Sequence, residues 1–462
     1  MDISPVLREL ARPATLQVLS DTALAYDVEA KAKQAQAESG AGTLLKSPSP
    51  VDVPGLLRIR AADVLRELGV ATTFLSHSPF REVAQLWAHV RYCATLQHTD
   101  RGLLSLTDYA ATDVVHHHKV AQSEQLGVGL ALVVTRAVLG RRHSGCDFRA
   151  VDADVALAAG YVDELPGEDV MNTSETKKRP DYFLIGRHHG KVRVVVLECK
   201  GTHQSRSHVI EQLGTACLQL RTVAIGRRRL YGLMVGSRLS RSGITSYVLD
   251  PPGDDELWDG SEEELDALLA QEPEQLDWSP ASPPPAQPPE TGGGPAPGTA
   301  DGQDELEPPA PYSIPPERSG WFTQVLARST AAKVLMYAGD SSAAANYLTP
   351  RQRGFDSNMI PGLEEDWPDS MAATMTLPRG PVVTGTSFRM PLPDGSVLEV
   401  FRGVERQLHR DLTEGRFLAY QRRAGILRQW WHTRGRHLTG EALSVGNDGT
   451  ALVMRIVDRR GE

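Results

Sequence analysis

The chain has 462 residues, 40% hydrophobic and 23% charged, enough for two to four globular domains. Its net charge of −9 hides a division: Ser242 to Glu317 holds 18 Asp or Glu and no Lys or Arg, which leaves +9 on everything else. No apolar run approaches the ~20 residues of a membrane helix, and the four scattered cysteines (Cys93, Cys146, Cys199, Cys217) lack the spacing of a zinc, iron–sulfur or disulfide framework.

A basic remainder suits a nucleic-acid partner, where the overall sign alone argues against one. The start, Met1-Asp2-Ile3-Ser4-Pro5, has neither the basic nor the apolar stretch of a secretory signal. A cytoplasmic protein with no membrane partner is expected.

Residues 1–115 read as a mainly helical N-terminal domain. Apolar positions recur at helical spacing in Pro5–Leu19 (interrupted at Pro13), in Ala61–Leu68 and in Phe80–Leu96. Ser39–Pro54 is rich in Gly, Ser and Pro and reads as a loop. No catalytic motif occurs here.

Residues 116–253 carry the chemistry. His116-His117-His118 resembles a metal tract, but consecutive histidines cannot all face one ion on a helix, so a solvated helix start is the simpler reading. Ser123–Val134 is a mostly apolar, buried helix with Glu124 near its start, where a glutamate also suits the helix dipole. A first strand is expected within Asp147–Gly160, with Asp152 and Asp154 as rival acidic ligands. The polar loop Thr173–Arg179 ends in Lys177, Lys178 and Arg179, cations suited to a phosphate backbone or simply to solvent.

Two apolar runs follow, Asp181–Ile185 and Lys191–Lys200, around Gly186-Arg187-His188-His189-Gly190. They read as a β-hairpin. In an antiparallel pair the start of one strand lies beside the end of the next, so Asp181 and Glu198, 17 positions apart, meet at one edge. Side chains alternate, so Lys200 shares the face of Glu198 and Cys199 takes the other. Two converging carboxylates suit Mg²⁺ (or Mn²⁺), which accepts few protein ligands. A neighbouring lysine can position a water or offset developing negative charge. After Lys200 an amphipathic helix, about Ser205–Ala224, buries Val209, Ile210, Leu213, Ala216, Cys217, Leu220 and Val223. Gln212 and Gln219 share another of its stripes, and strands follow at Leu230–Val235 and Ile244–Leu249.

Pro180-Asp181…Glu198-Cys199-Lys200 resembles the PD-(D/E)xK nuclease superfamily over roughly Ala121–Pro252. The resemblance implies an α/β (α+β) fold with a restriction-endonuclease-like αβββαβ core. It also implies Asp181 and Glu198 as metal ligands, Lys200 as the catalytic lysine, Glu124 as an additional metal ligand and Gln212 as a glutamine near the metal. The RecB-like Gln-x-x-x-Tyr pattern is absent, because position 216 is Ala.

Residues 254–318 read as an acidic, Pro-rich disordered linker: 13 of the 39 residues from Ser279 to Glu317 are proline, too few apolar groups to offset the entropy of ordering the backbone. A short acidic helix is expected within it at Ser261–Gln271, and the segment could shield a basic cleft. Residues 319–462 read as a separate C-terminal α+β domain, with a helix at Trp321–Tyr337, hairpins around Pro393-Asp394-Gly395 and Asn447-Asp448-Gly449, and one or two helices in Glu405–His432. Arginines interleaved with Phe417, Tyr420, Trp430 and Trp431 suggest nucleic-acid contact, or a helical face whose aromatics are core.

The function expected is a metal-dependent nuclease hydrolysing DNA, resembling bacterial restriction or anti-phage effectors, with a protein partner or a homo-oligomer as further options. The alternatives are a catalytically silent DNA- or protein-binding subunit of a larger complex and, less well supported by the lysine, a sugar or nucleotide hydrolase using paired carboxylates.

Overall fold

The computed structural model describes residues 3–39, 47–74, 89–159, 163–164, 179–188, 190–226, 228–251, 260–270, 312–349, 352, 372–378, 380–433 and 441–457. The chain is a mixed α/β protein with several sheets. Its helices used below are α1 (Ser4–Ala11), α2 (Thr22–Ser39), α3 (Ala61–Ala71), α4 (His116–Arg142), α5 (Arg206–Leu220), α6 (Glu262–Ala270), α7 (Ser319–Tyr337), α8 (Arg406–Thr413) and α9 (Phe417–Thr433). The main strands of the central sheet are β1 (Pro13–Leu19), β2 (Leu56–Arg60), β3 (Arg149–Asp152), β4 (Tyr182–His188), β5 (Lys191–Thr202), β6 (Gly232–Arg238) and β7 (Thr245–Asp250), and the two-residue strands Ser49–Pro50 and Gly260–Ser261 pair with β7 and β5. They lie in the order β2-β1-β7-β6-β5-β4-β3.

β3, β4 and β5 form an antiparallel meander, β6 returns parallel to β5 after α5, and β7 runs antiparallel to β6. The near-continuous apolar run Val192–Leu197 makes β5 a central strand buried on both faces. Val192, Val194 and Val196 pack with Val209 and Leu213 of α5. Val195, Leu197 and Cys199 pack on the opposite face with Leu126 and Leu130 of α4. The sheet is thus sandwiched between α5 and α4.

α4 approaches β5 unusually closely just beyond Lys200. A Cβ on Gly201 would lie 1.9 Å from the carbonyl oxygen of Ser123, and one on Gly127 would lie 2.9 Å from the Gly201 Cα. Two glycines therefore let helix and strand backbones touch, and this contact fixes the depth of the α4 start against the sheet.

The N-terminal residues hold α1, α2 and α3, as a mainly helical reading expects, but they are not a separate domain. β1, which falls inside the stretch read as helical, pairs in parallel with β7 and antiparallel with β2, so this region widens the central sheet. In β1, Ala14, Leu16 and Val18 are buried at period two, a strand pattern that Pro13 separates from the preceding helix. Most of the predicted Phe80–Leu96 helix lies outside the described residues.

Within the acidic segment, α6 forms as expected, and Tyr312–Ile314 pairs with Val223–Ile225. The proline-rich stretch 271–311 lies outside the described residues. Beyond it, β8 (Ala372–Thr376), β9 (Val382–Pro391), β10 (Val397–Glu405), β11 (Ala442–Val445) and β12 (Thr450–Val457) make an antiparallel sheet in the order β8-β9-β10-β12-β11. Both expected hairpins are present.

This sheet shares its core with the rest of the molecule: Leu398, Val400, Leu452 and Met454 belong to the same apolar cluster as Leu7, Leu16, Leu65 and Leu130. α7 is buried from Phe322 to Tyr337 and packs against β3, β4 and β10. A buried polar network crosses the same boundary. Arg66 donates to Glu67 at 2.5 Å, to Ser444 Oγ at 3.0 Å and to Thr450 Oγ1 at 3.1 Å, and Arg136 pairs with Glu67 at 2.8 Å. The separate C-terminal domain expected from sequence is corrected accordingly: its sheet is built onto the N-terminal and central residues.

Gly201→Ala is expected to cost about 1–3 kcal/mol, because neither Ser123 nor the helix backbone can retreat without opening the core. A denaturant midpoint equal to that of wild type would show that the contact does not constrain α4.

Candidate active site

The register that pairs Tyr182 with Leu197 sets Asp181 directly opposite Glu198. The Asp181 backbone N–H donates to Glu198 Oε2 at 3.1 Å, and Asp181 Oδ2 accepts the Cys199 backbone N–H at 2.7 Å. Lys200 lies two residues on from Glu198, on the same face, and its Nζ donates to Glu198 Oε1 at 2.5 Å. Three of the residues predicted from sequence therefore meet at one end of the hairpin.

Glu198 is 0% exposed. Burial, reinforced by the charge of Asp181, raises its carboxyl to about 8, against the opposing pull of Lys200. Burial also raises Asp181, with Asp154 and Glu124 adding to the effect while Lys200 and the Cys199 amide oppose it. Burial works against the charge of Lys200, but Glu198 and Asp181 outweigh it and hold the ammonium above its usual range. Two carboxyls thus share one cation in a space with little water. A second cation would relieve that imbalance.

The donor set fits a hard divalent ion. Asp181 and Glu198 supply carboxylate oxygens, and Mg²⁺ commonly uses only one or two protein carboxylates. Among the described residues no three His, Cys, Asp or Glu side chains converge as a complete cage, so water and substrate oxygens would complete the shell.

Glu124 is exposed, on the opposite side of the sheet from Glu198, and it reaches the site through its charge on Asp181. It does not complete a three-carboxylate group with Asp181 and Glu198. Gln212 is half-buried, and its Oε1 has no hydrogen-bond partner among the described residues. Gln219 touches the site's border instead, donating to the Arg179 carbonyl at 3.3 Å. Sequence proximity favoured Gln212, whereas the slope of α5 across the sheet brings its later turns to the segment before Asp181.

Asp152 and Asp154 have other work. Asp152 Oδ1 caps the short helix Ala153–Leu157, accepting the Asp154 N–H at 2.8 Å and the Val155 N–H at 3.3 Å. Burial, then Asp154, raises its carboxyl to about 6. Asp154 forms an ion pair with Arg179. Lys177 and Lys178 lie outside the described residues. His116–His118 are exposed at the start of α4.

The stacking platform considered for the C-terminal region is corrected. Phe417, Tyr420 and Trp431 are core residues, because α9 turns its apolar face into the cluster that holds Leu408 and Phe401. Arg416 and Arg423 pair with Asp411, and Arg402 is fully buried.

Compared with protein-family models, with curated proteins and with solved structures, the chain matches none of them. Among the described residues no helix is long and apolar enough to cross a membrane.

The raised carboxyl of Glu198 has a measurable sign. A group whose folded pKa lies above its unfolded value of about 4.3 supports stability below that pH and loses it as pH rises toward 8. Glu198→Gln removes this loss. Relative to wild type, its unfolding free energy is expected to gain at least about 1 kcal/mol between pH 5 and pH 9. Parallel pH profiles for the two proteins would overturn the assignment.

Proposed function

We propose that the chain is a metal-dependent nuclease of the restriction-endonuclease-like fold, hydrolysing DNA phosphodiesters at Asp181, Glu198 and Lys200. The observation that carries the reading is the buried Asp181–Glu198 pair in direct register, with Lys200 on the same face. The surrounding order of elements supports it: helix, strand, hairpin, helix and a parallel strand. So do the raised carboxyls, both pushed up first by burial and then by neighbouring negative charge.

Asp181 and Glu198 would hold Mg²⁺ or Mn²⁺, which supplies a Lewis acid for the phosphoryl oxygens and a more acidic bound water. The chain's own groups do the positioning. The Cys199 amide pins Asp181, leaving its other carboxylate oxygen for the ion. The Asp181 amide pins Glu198 from the opposite strand. Lys200, 22% exposed along its side chain, reaches solvent from the wall that Glu198 forms and can offset charge developing on the scissile phosphate. Arg179, at the lip and paired with Asp154, is a ready phosphate contact.

The test is cleavage of supercoiled plasmid and of single-stranded DNA in Mg²⁺ or Mn²⁺. Lys200→Ala is expected to cut at least about 10²-fold more slowly than wild type, the usual cost of one transition-state charge partner. Equal cleavage by both would remove Lys200 from the mechanism. If neither protein cuts, and Mn²⁺ at 100-fold over a micromolar Kd fails to add the ~2.7 kcal/mol expected of a bound ligand, the fold serves as a silent module.

A further inference from the structure

The other end of the same hairpin holds a second built site. A cavity of about 410 Å³ opens where β3, β4, α6, α7 and α9 meet, within the size range of small-molecule sites. Arg149 pairs in register with Ile185, and Arg187 follows two residues later, so all three project from one face of the sheet. This is the face of Asp181 and Glu198, four to six residues along β4, or roughly 13–20 Å away.

Arg149 is 8% exposed. Its guanidinium lies 4.8 Å from the ring centre of Tyr420, and its Nε bonds Asp147 at 3.4 Å. Its Nη1 is buried with no partner among the described residues. Arg422, exposed on α9 at the cavity wall, makes no ion pair or hydrogen bond among the described residues.

The lining holds as many acids as arginines, but the acids are engaged. Asp147 accepts from Arg149 and, at 3.0 Å, from Asn447. Glu262 and Asp266 both pair with Arg187. The unspent donors are therefore two guanidinium groups from different elements, above an apolar wall of Leu265, Ala327 and Leu418. Two separate guanidinium forks match an anion with three outward oxygens better than a carboxylate with two.

We propose that this cavity binds a small phosphate monoester, with the Arg149 guanidinium and Arg422 on the phosphate and the apolar wall against the organic body. The site is independent of the hairpin's far end.

Titration calorimetry on the full chain with adenosine 5′-monophosphate as probe, against adenosine, tests it. The monophosphate is expected to bind wild type and Lys200→Ala equally. Adenosine, and the monophosphate on Arg422→Glu, are each expected to bind at least tenfold more weakly. Arg422→Glu changes an exposed residue, so the test survives if Arg149→Ala fails to fold. Equal binding of adenosine and its monophosphate, undiminished binding by Arg422→Glu, or no binding by wild type at millimolar ligand would each overturn the proposal. Loss of binding by Lys200→Ala alone would also overturn it, by placing the probe at the carboxylate site, and none of these readouts depends on cleavage.

Discussion

The structure turns on one register. Because Tyr182 faces Leu197, Asp181 must face Glu198, and a slip of one residue would send Glu198 and Lys200 to the α4 side and bring Cys199 to the site. What holds the register is apolar: the alternate valines of β5 fill two different cores, one under α5 and one under α4. The large hydrophobic gain of those packed faces offsets the cost of holding a carboxylate, an aspartate and an ammonium in a poorly hydrated place. Carboxyls displaced in this way, at the end of a hairpin, mark the place as a candidate functional site.

The same economy explains the close helix. An extra ligand or charge from α4 could act on Asp181 only if the helix came within reach of the sheet edge, and Gly127 and Gly201 remove the side chains that would keep it away. Glu124 contributes a long-range charge there and no more among the described residues. On the opposite face, α5 brings Gln219 to the Arg179 carbonyl. The two helices therefore flank the pair from both sides of the sheet.

Much of the central region was legible because its signals are local. Strand alternation, the Gly-containing turn and the apolar stripe of Val209–Leu220 each determine their own element, and their order brings Asp181, Glu198 and Lys200 together. The turns at Pro393-Asp394-Gly395 and Asn447-Asp448-Gly449 were legible for the same reason. What was not legible was long-range. β1 carries a period-two pattern of its own, yet nothing within it announces a parallel partner more than 200 residues away. The aromatics of α9 alternate with arginines, and sequence spacing could not decide which of the two faced the core. Gln212 and Gln219 share a stripe, and only the crossing direction of α5 separates them. The residues that line the second cavity come from five helices and strands and the turns beside them, and no sequence motif joins them.

The Arg66 contacts have a consequence for how the molecule comes into being. The guanidinium leaves α3 and finds Ser444 and Thr450, while Arg60 reaches the Leu443 carbonyl at 3.4 Å. The Ser444 contact joins residues 378 apart in sequence. Until it forms, Arg66 has neither hydroxyl partner, and α3, which packs along α4, is not yet seated on β11. Contacts of such sequence separation carry a large loop-closure entropy, so this protein is expected to fold more slowly than a chain built from local contacts.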